Sequence, residues 1–349
     1  MAVAAELRAS GAEVSFVGAR GKAEAELVPE AGYEIDLLDV RGIDRRNPLR
    51  AAVAVGKAIT GVGAARRLLR ERRADVVLGG GGYVAGTVGM AAALAGVPLV
   101  LTEADSHLGL ANRLLARRAR RVCLSFPIAG REGERYLLTG RPVPAAVLGA
   151  SREAARRRFG IAPAARCLLV MGGSQGARSI NLAAIEAFAE SEAAAARDFH
   201  VLHLSGHRDH GELAARLAAA PHRERYRLIE YEPDLGDVLA ACDLIAARSG
   251  GSIFEVAAAA RPAILVPYPH ATADHQTANA AWMTGAGAAE AIADEALSPE
   301  LFARRVGELF ADEEGLAAMA KASAALARPD AARRIADEVL AAATPSGAL

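Results

Sequence analysis

Cysteine and aromatic residues are scarce: three Cys and 4% Phe, Trp and Tyr in 349 residues. Cys123, Cys167 and Cys242 lie far apart, are odd in number and form no CxxC pair, so no disulfide framework is readable and a reducing compartment is implied. Neither GxGxxG nor a Gly-Lys-Ser/Thr loop occurs, which disfavours a nicotinamide oxidoreductase and a Walker-type nucleotidase. No long apolar run is free of breakers. The most apolar stretch, Val76 to Leu101, carries Gly79–Gly82, Gly86, Gly89, Gly96 and Pro98, and reads as a buried strand–helix–strand, not a lipid-spanning helix. The opening residues form an amphipathic run, not a basic and then apolar leader. Net charge is also absent, with 41 Lys+Arg against 41 Asp+Glu.

That neutrality hides an asymmetry. Residues 1–150 hold 21 basic against 15 acidic side chains, and the remainder 20 against 26. A basic half points to an anionic contact such as phosphate, acidic lipid or nucleic acid. The length exceeds one comfortable core, and 52% hydrophobic residues with few aromatics indicate an Ala/Leu/Val/Gly-rich α/β chain. Short apolar runs alternate with helical windows. Strands are expected at Val14–Val17, Glu34–Leu38, Val76–Leu78, Leu99–Leu101 and Val122–Ser125, with helices at Ala2–Ala9, Leu49–Glu71, Tyr83–Leu94 and Gly109–Arg118. The second half repeats the scheme at Cys167–Met171, His200–Leu204, Tyr226–Glu230, Leu244–Ala246 and Ala263–Val266. This pattern predicts two Rossmann-like, doubly wound parallel-sheet domains facing across a cleft, with ligands at the carboxyl ends of the strands. Prolines and glycines in Thr139–Gly149 mark a linker, giving domains at 1–142 and 143–330, then a C-terminal helix and flexible tail at 331–349. The chain opens on a helix with no strand before it, so the first domain is expected to lack its first strand, either because Met1 is not the true start or because the strand has been lost; a domain that simply begins with a helix is the plainer reading.

Three strand-end loops of the second half carry the chemistry. Gly172-Gly173-Ser174-Gln175-Gly176 follows an apolar strand and opens a helix, so its backbone N–H groups and the helix dipole suit a diphosphate. As a lone glycine-rich turn it reads equally well as a turn only. Arg248-Ser249-Gly250-Gly251 repeats the arrangement, and Glu255 one turn into the next helix suits a ribose cis-diol, or simply a favourable carboxylate in a first helical turn. Pro267–His270 and the run from Asp274 through His275 and Gln276 to Asn279 offer directional partners for sugar hydroxyls. His200, His203, His207 and His210 have metal-like spacing but no helix to align them, so no metal site is expected. In the first half, Gly79–Gly82 and Tyr83 follow a strand and suit an anionic acceptor. Glu103, Asp105 and His107 cluster after the next strand as candidate bases, with Asn112 beyond them; solvated loop polarity is the plainer reading. Arg45–Arg73 combines arginines with apolar residues, fitting either an anionic membrane surface or an ordinary surface helix.

The ordered set GGGGY, TEADSHLGLANR, TGRPV, GGSQGARSIN, HLSGH, RSGG…E and PHATADHQTANA resembles the MurG family of bacterial peptidoglycan glycosyltransferases, of GT-B architecture, over nearly the whole chain. The resemblance implies inverting transfer of N-acetylglucosamine from UDP-GlcNAc to the 4-hydroxyl of MurNAc in undecaprenyl-diphospho-MurNAc-pentapeptide. It places the protein peripherally on the cytoplasmic membrane face, against an anionic inner membrane surface, with no nucleic-acid partner and no cofactor or tightly bound metal. Carried across, Gly172, Gly173, Ser174, Gln175 and Gly176 hold the donor diphosphate, Arg248, Gly250 and Gly251 lie near the nucleotide, Glu255 binds ribose, and His275 and Gln276 meet the sugar. Gly80, Gly81, Gly82, Tyr83, Glu103, Asp105 and Asn112 face the acceptor. No DxD sequence provides a metal clamp for the diphosphate. The family's first glycine-rich loop, with its proposed catalytic His, precedes the opening helix, which leaves Asp105 and His107 as candidates for the base. Its HEQN reads Thr102-Glu103-Ala104-Asp105 here, and Pro144 stands where an Arg is usual after the linker. A related enzyme with another lipid acceptor, or a non-catalytic UDP-sugar-binding form, remain as alternatives.

Overall fold

The computed structural model describes residues 1–40, 48–173, 175–271 and 274–343, with the backbone alone over 48–59 and at 193. The chain forms two α/β units. One comprises Met1–Pro142 together with Asp330–Leu349, the other Val143–Pro329.

In the first unit, α1 (Ala2–Ala9), β1 (Ser15–Ala19), α2 (Glu24–Glu30) and β2 (Glu34–Leu38) lead to the long α3 (Pro48–Glu71). Then follow β3 (Val77–Gly79), α4 (Gly82–Ala95), β4 (Leu99–Glu103), α5 (Leu110–Leu115), β5 (Arg121–Leu124) and β6 (Tyr136–Leu138). Among the described residues the strands make two parallel sheets, β1-β2 and β3-β4-β5-β6, where the sequence suggested one. β4 and β5 are buried on both faces, as their unbroken Leu99–Leu101 and Val122–Leu124 runs require. Gly96, left-handed at φ 74°, ends α4 and turns the chain into β4.

The second unit opens with α6 (Ala145–Gly149), a short helix inside the expected linker. Pro144 at its N-cap starts the helix, so the prolines here mark a helix entry and not an extended connection. Next come α7 (Arg152–Phe159), β7 (Arg166–Met171), α8 (Arg178–Ile185), β8 (Phe199–Leu204), α9 (His210–Ala219), β9 (Tyr226–Ile229) and α10 (Leu235–Ala241). The unit ends with β10 (Leu244–Ala247), α11 (Ile253–Ala258), β11 (Ala263–Leu265), α12 (His275–Gly285), β12 (Ala289–Ala291), α13 (Pro299–Ala311) and α14 (Glu313–Leu326). Its six strands are parallel in the order β12-β11-β10-β7-β8-β9. The order reverses between β7 and β10, so the loops following these two neighbouring strands leave the sheet side by side. Leu168, Val170, Val201, Ala246 and Ile264 bury one sheet face beneath Ile180, Phe188, Phe302 and Val306 from the covering helices. Phe188 meets Phe302 edge-on at 5.1 Å. Arg156 on α7 is 3% exposed, donates to the carbonyls of Ala162, Pro163, Ala165 and Ala241, and pairs with Asp243 at 2.8 Å. Truncating it would strip those four carbonyls of a donor and leave Asp243 with Arg152 as its remaining arginine.

The last helix, α15 (Ala331–Ala343), returns to the first unit. Ile335, Ala336 and Val339 pack with Leu7, Val100 and Cys123, and Glu338 accepts from Arg121 at 2.9 Å. The tail at 344–349 and the Arg45-Arg46-Asn47 segment lie outside the described residues. Among those described, no helix is long and apolar enough to cross a membrane.

Candidate functional site

The reversal of strand order in the second unit is where a doubly wound sheet opens a crevice at its carboxyl edge. β7 leads there into Gly172–Gly176, with Gly173 and Gly176 left-handed at φ 81° and 78°. Neighbouring backbone fixes the residue type. A Cβ on Gly172 would stand 2.2 Å from the Ala177 nitrogen, and one on Gly176 would stand 2.2 Å from the Ser205 carbonyl oxygen. Gly206, after β8, is equally confined, 2.2 Å from the Gly176 nitrogen. Ala177 at the N-cap of α8 contributes no side-chain acceptor, so the first-turn N–H groups remain available to an anion. Ser174 itself lies outside the described residues.

Three loops are knit together here. Arg248, after β10, donates to the carbonyls of Val266 and Pro267, to Asp294 at 2.6 Å and to Ser179 on α8 at 2.9 Å. Its guanidinium is therefore engaged by the protein, and it ties the loop after β10 to α8 and to the loop after β11. Ser249 donates to the Gln276 carbonyl at 2.7 Å, and Asn279 donates to the Ser249 carbonyl at 2.9 Å. The Gln276 side-chain oxygen accepts from the Tyr268 N–H at 3.0 Å, which directs its amide NH2 toward Gly250, 3.9 Å from where a Cβ would be. Glu255 sits half-buried in the first turn of α11, with Gly251 two residues before that helix, and His275 opens α12. The structure thus gathers Gly172, Gly173, Gln175 and Gly176 with Arg248–Glu255 and His275–Gln276 at one edge of one sheet.

Charge at this edge is already balanced. Arg178 at the start of α8 grips Glu212 with two hydrogen bonds, 2.7 and 3.1 Å. That contact raises the arginine pKa and holds the Glu212 carboxyl below its ordinary range. An arriving diphosphate would meet backbone N–H groups first.

The histidines of β8 and the loop after it go separate ways. His203 is fully buried between Asn181 and Tyr226, His207 pairs with exposed Glu230 at 3.0 Å, and His210 bonds Ser205 at 3.0 Å. Among the described residues no group of His, Cys, Asp or Glu is placed to hold a metal ion.

In the first unit, Gly81 and Gly82 are left-handed and carry the chain from β3 into α4, where Tyr83 is half-buried. Glu103, at the end of β4, is 6% exposed and turned inward. Its oxygens accept from the Asp105 N–H at 3.1 Å, the Gly109 N–H at 2.9 Å and the Asn112 amide at 2.8 Å. Asn112 also donates to the Thr102 carbonyl, while its own side-chain oxygen is buried without a partner among the described residues. Glu103 and Asn112 therefore shape the loop 104–109, whereas Asp105 is half-buried and His107 exposed on it.

Sequence reasoning passed over two features. The residues supporting these strand-end loops, Asn181, Ser179, Asp209 and Asp294, are distant in sequence; their one local signal is a polar Asn181 within the apolar face of α8. The other feature is a set of exposed apolar side chains on the paired helices α4 and α5: Met90, Leu94, Leu110 and Leu114, the last 63% exposed. Arg113, Arg117 and Arg118 lie exposed beside the α5 pair.

Comparison with known proteins agrees with this layout. Residues 1–124 match the glycosyltransferase family 28 N-terminal domain and residues 167–335 its C-terminal domain. The chain is 39% identical to a UDP-N-acetylglucosamine–N-acetylmuramyl-(pentapeptide) pyrophosphoryl-undecaprenol N-acetylglucosamine transferase of Moorella thermoacetica, over 95% of this chain and 91% of that protein. A transferase of the same name from Rubrobacter xylanophilus is 38% identical over 97% and 98%. Among solved structures, Acinetobacter baumannii MurG superposes with a TM-score of 0.78 at 28% identity, covering 97% of this chain and 94% of that one. The calicheamicin glycosyltransferase CalG4, at 19% identity, TM-score 0.69 and coverage of 99% and 94%, shares the fold.

Proposed function

The chain belongs to glycosyltransferase family 28, and from that premise we propose that it transfers N-acetylglucosamine from UDP-N-acetylglucosamine to undecaprenyl-diphospho-N-acetylmuramyl-pentapeptide, a step of peptidoglycan synthesis. The observation that carries the reading is the agreement of near-full-length identity to transferases of this name with three knit loops at the sheet's switch point. On this reading the strand-end residues divide the work. The backbone of Gly172–Gly176 and the first turn of α8 receive the diphosphate and stabilise the UDP leaving group as its charge develops. Glu255 takes the ribose, and His275 with the Gln276 amide meets the transferred sugar. Arg248 acts through Ser179 and Asp294, holding the nucleotide side of the crevice in shape. In the first unit Gly80–Gly82 and Tyr83 face the acceptor diphosphate, with Glu103 and Asn112 setting the loop that presents Asp105 and His107. One of these two deprotonates the 4-hydroxyl of MurNAc, which displaces UDP in one inverting step.

The acceptor is lipid-linked, so the enzyme works at a membrane surface. Exposed Leu110 and Leu114, one turn apart on α5 beside exposed Arg113, Arg117 and Arg118, combine apolar and cationic side chains suited to anionic lipid. The full chain, incubated with radiolabelled UDP-N-acetylglucosamine and a lipid-linked MurNAc-pentapeptide acceptor, should yield labelled disaccharide-lipid with release of UDP. Donor binding without product would leave the transfer reading untenable for this chain.

A further inference from the structure

We propose that the buried chain Asn181–His203–Tyr226 is a positioning network for the phosphate loop. It fixes the place of Gly176 while touching no ligand itself. The proposal rests on the donor-site reading above.

Hydrogen-bond direction is determined throughout the chain. The Asn181 amide NH2 donates to the Ser205 carbonyl and to the Asp209 carboxylate, both at 2.9 Å. Its oxygen must then face the His203 Nε2, 3.0 Å away, so Nε2 carries the proton and donates. Nδ1 is left as acceptor, and the Tyr226 hydroxyl donates to it at 2.7 Å. Asn181 and His203 are fully buried and Tyr226 is 7% exposed, so water does not substitute for a lost partner. Burial holds the imidazole neutral, its pKa lowered to about 3, as this single-tautomer arrangement requires.

The near end of the network is the Ser205 carbonyl, and that atom is the one against which Gly176 packs. Gly206 then closes on the Gly176 nitrogen. Displacing the carbonyl therefore displaces the phosphate loop. The far end, Tyr226 at the start of β9, lies two strands from β7, so the register of β7, β8 and β9 is carried into one loop position.

The test separates positioning from general stability by ligand. Tyr226→Phe keeps the ring and removes the donor. It should weaken UDP binding, read by calorimetry on the full chain, by about tenfold, and leave uridine binding, read by NMR titration, within about twofold. His203→Leu should weaken UDP by about a hundredfold, and His203→Gln, which keeps one donor and one acceptor, should recover most of that loss. Unchanged UDP binding in Tyr226→Phe overturns the network, as does an equal loss for UDP and uridine. Should His203→Leu fail to fold, the Tyr226→Phe comparison decides alone. If the unaltered chain binds no UDP, the donor-site reading falls and the network with it, a result distinct from tight UDP binding that ignores Tyr226.

Discussion

Two glycine-rich strand ends, one in each unit, read alike in sequence and differ in what surrounds them. After β7, Gly172 and Gly176 are confined by backbone atoms 2.2 Å from any added Cβ, and Gly206 closes in from the next loop. After β3, a Cβ on Gly80 would come no nearer than 3.9 Å to Thr102, and one on Gly82 would meet nothing within 4 Å among the described residues. Gly172 and Gly176 are demanded by the fold, because neighbouring backbone leaves no room for a side chain there. Folding of this chain sets no such steric demand at Gly80; what its smallness preserves is space. Substituting a glycine can therefore separate stability from function at Gly80 and cannot at Gly172, Gly176 or Gly206.

The largest effect is expected where backbone meets backbone. Gly206→Ala adds a Cβ 2.2 Å from the Gly176 nitrogen at a φ of 74°, and should cost about 3 kcal/mol or more in urea denaturation while abolishing UDP binding. A variant that denatures like its parent would remove the steric half of the comparison. Glu103→Gln comes next. It replaces an acceptor of three N–H groups with an amide that must turn an NH2 toward one of them, at about 1–3 kcal/mol by the same measurement. If stability is retained, Glu103 is not what holds the loop 104–109.

A third effect depends on pH. The unfolded chain takes up a proton on His203 below its ordinary pKa of 6.5, and the folded chain refuses it until about 3. Stability should thus fall as pH drops through that window, by up to about 1.4 kcal/mol per unit from this group. Urea midpoints from pH 7 to 5 should show a shallower slope in His203→Gln; parallel slopes would mean that His203 is charged in the native state. Smallest in stability is Gly80→Ala, expected within about 1 kcal/mol of the parent, while the acceptor KM rises about fivefold. An unchanged acceptor KM would take the acceptor away from this loop.

The alternation of apolar runs and helical windows was legible because local pattern determines it. Ala2–Ala9 and Glu34–Leu38 coincide with α1 and β2. Gly109–Arg118 overshoots α5, which ends at Leu115 although apolar Ala116 and Ala119 keep the helical rhythm. β6 has three residues and no alternation, so only its pairing with β5 identifies it as a strand. The three strand-end loops of the second unit were visible because two join glycines to a strand end and the third, Pro267–Asn279, gathers prolines with His, Gln and Asn. What was hidden is long-range. Arg248 bonds Asp294, forty-six residues away, and His203 looked like one of four spaced histidines until Asn181 and Tyr226 enclosed it. Equally hidden was the inward turn of Glu103, since a carboxylate in a loop motif carries no local sign of which way it points.

The return of α15 onto α1 and β5 makes the first unit discontinuous in sequence, with all of Val143–Pro329 inserted within it. During synthesis at about 5–20 residues per second, the inserted unit emerges whole before the helix that seals its host. All of Val143–Pro329 is thus available to pack before Ile335, Ala336 and Val339 arrive to cover Leu7, Val100 and Cys123. Order of assembly is written into the connectivity: the inserted unit first, and its host only after α15 has followed it.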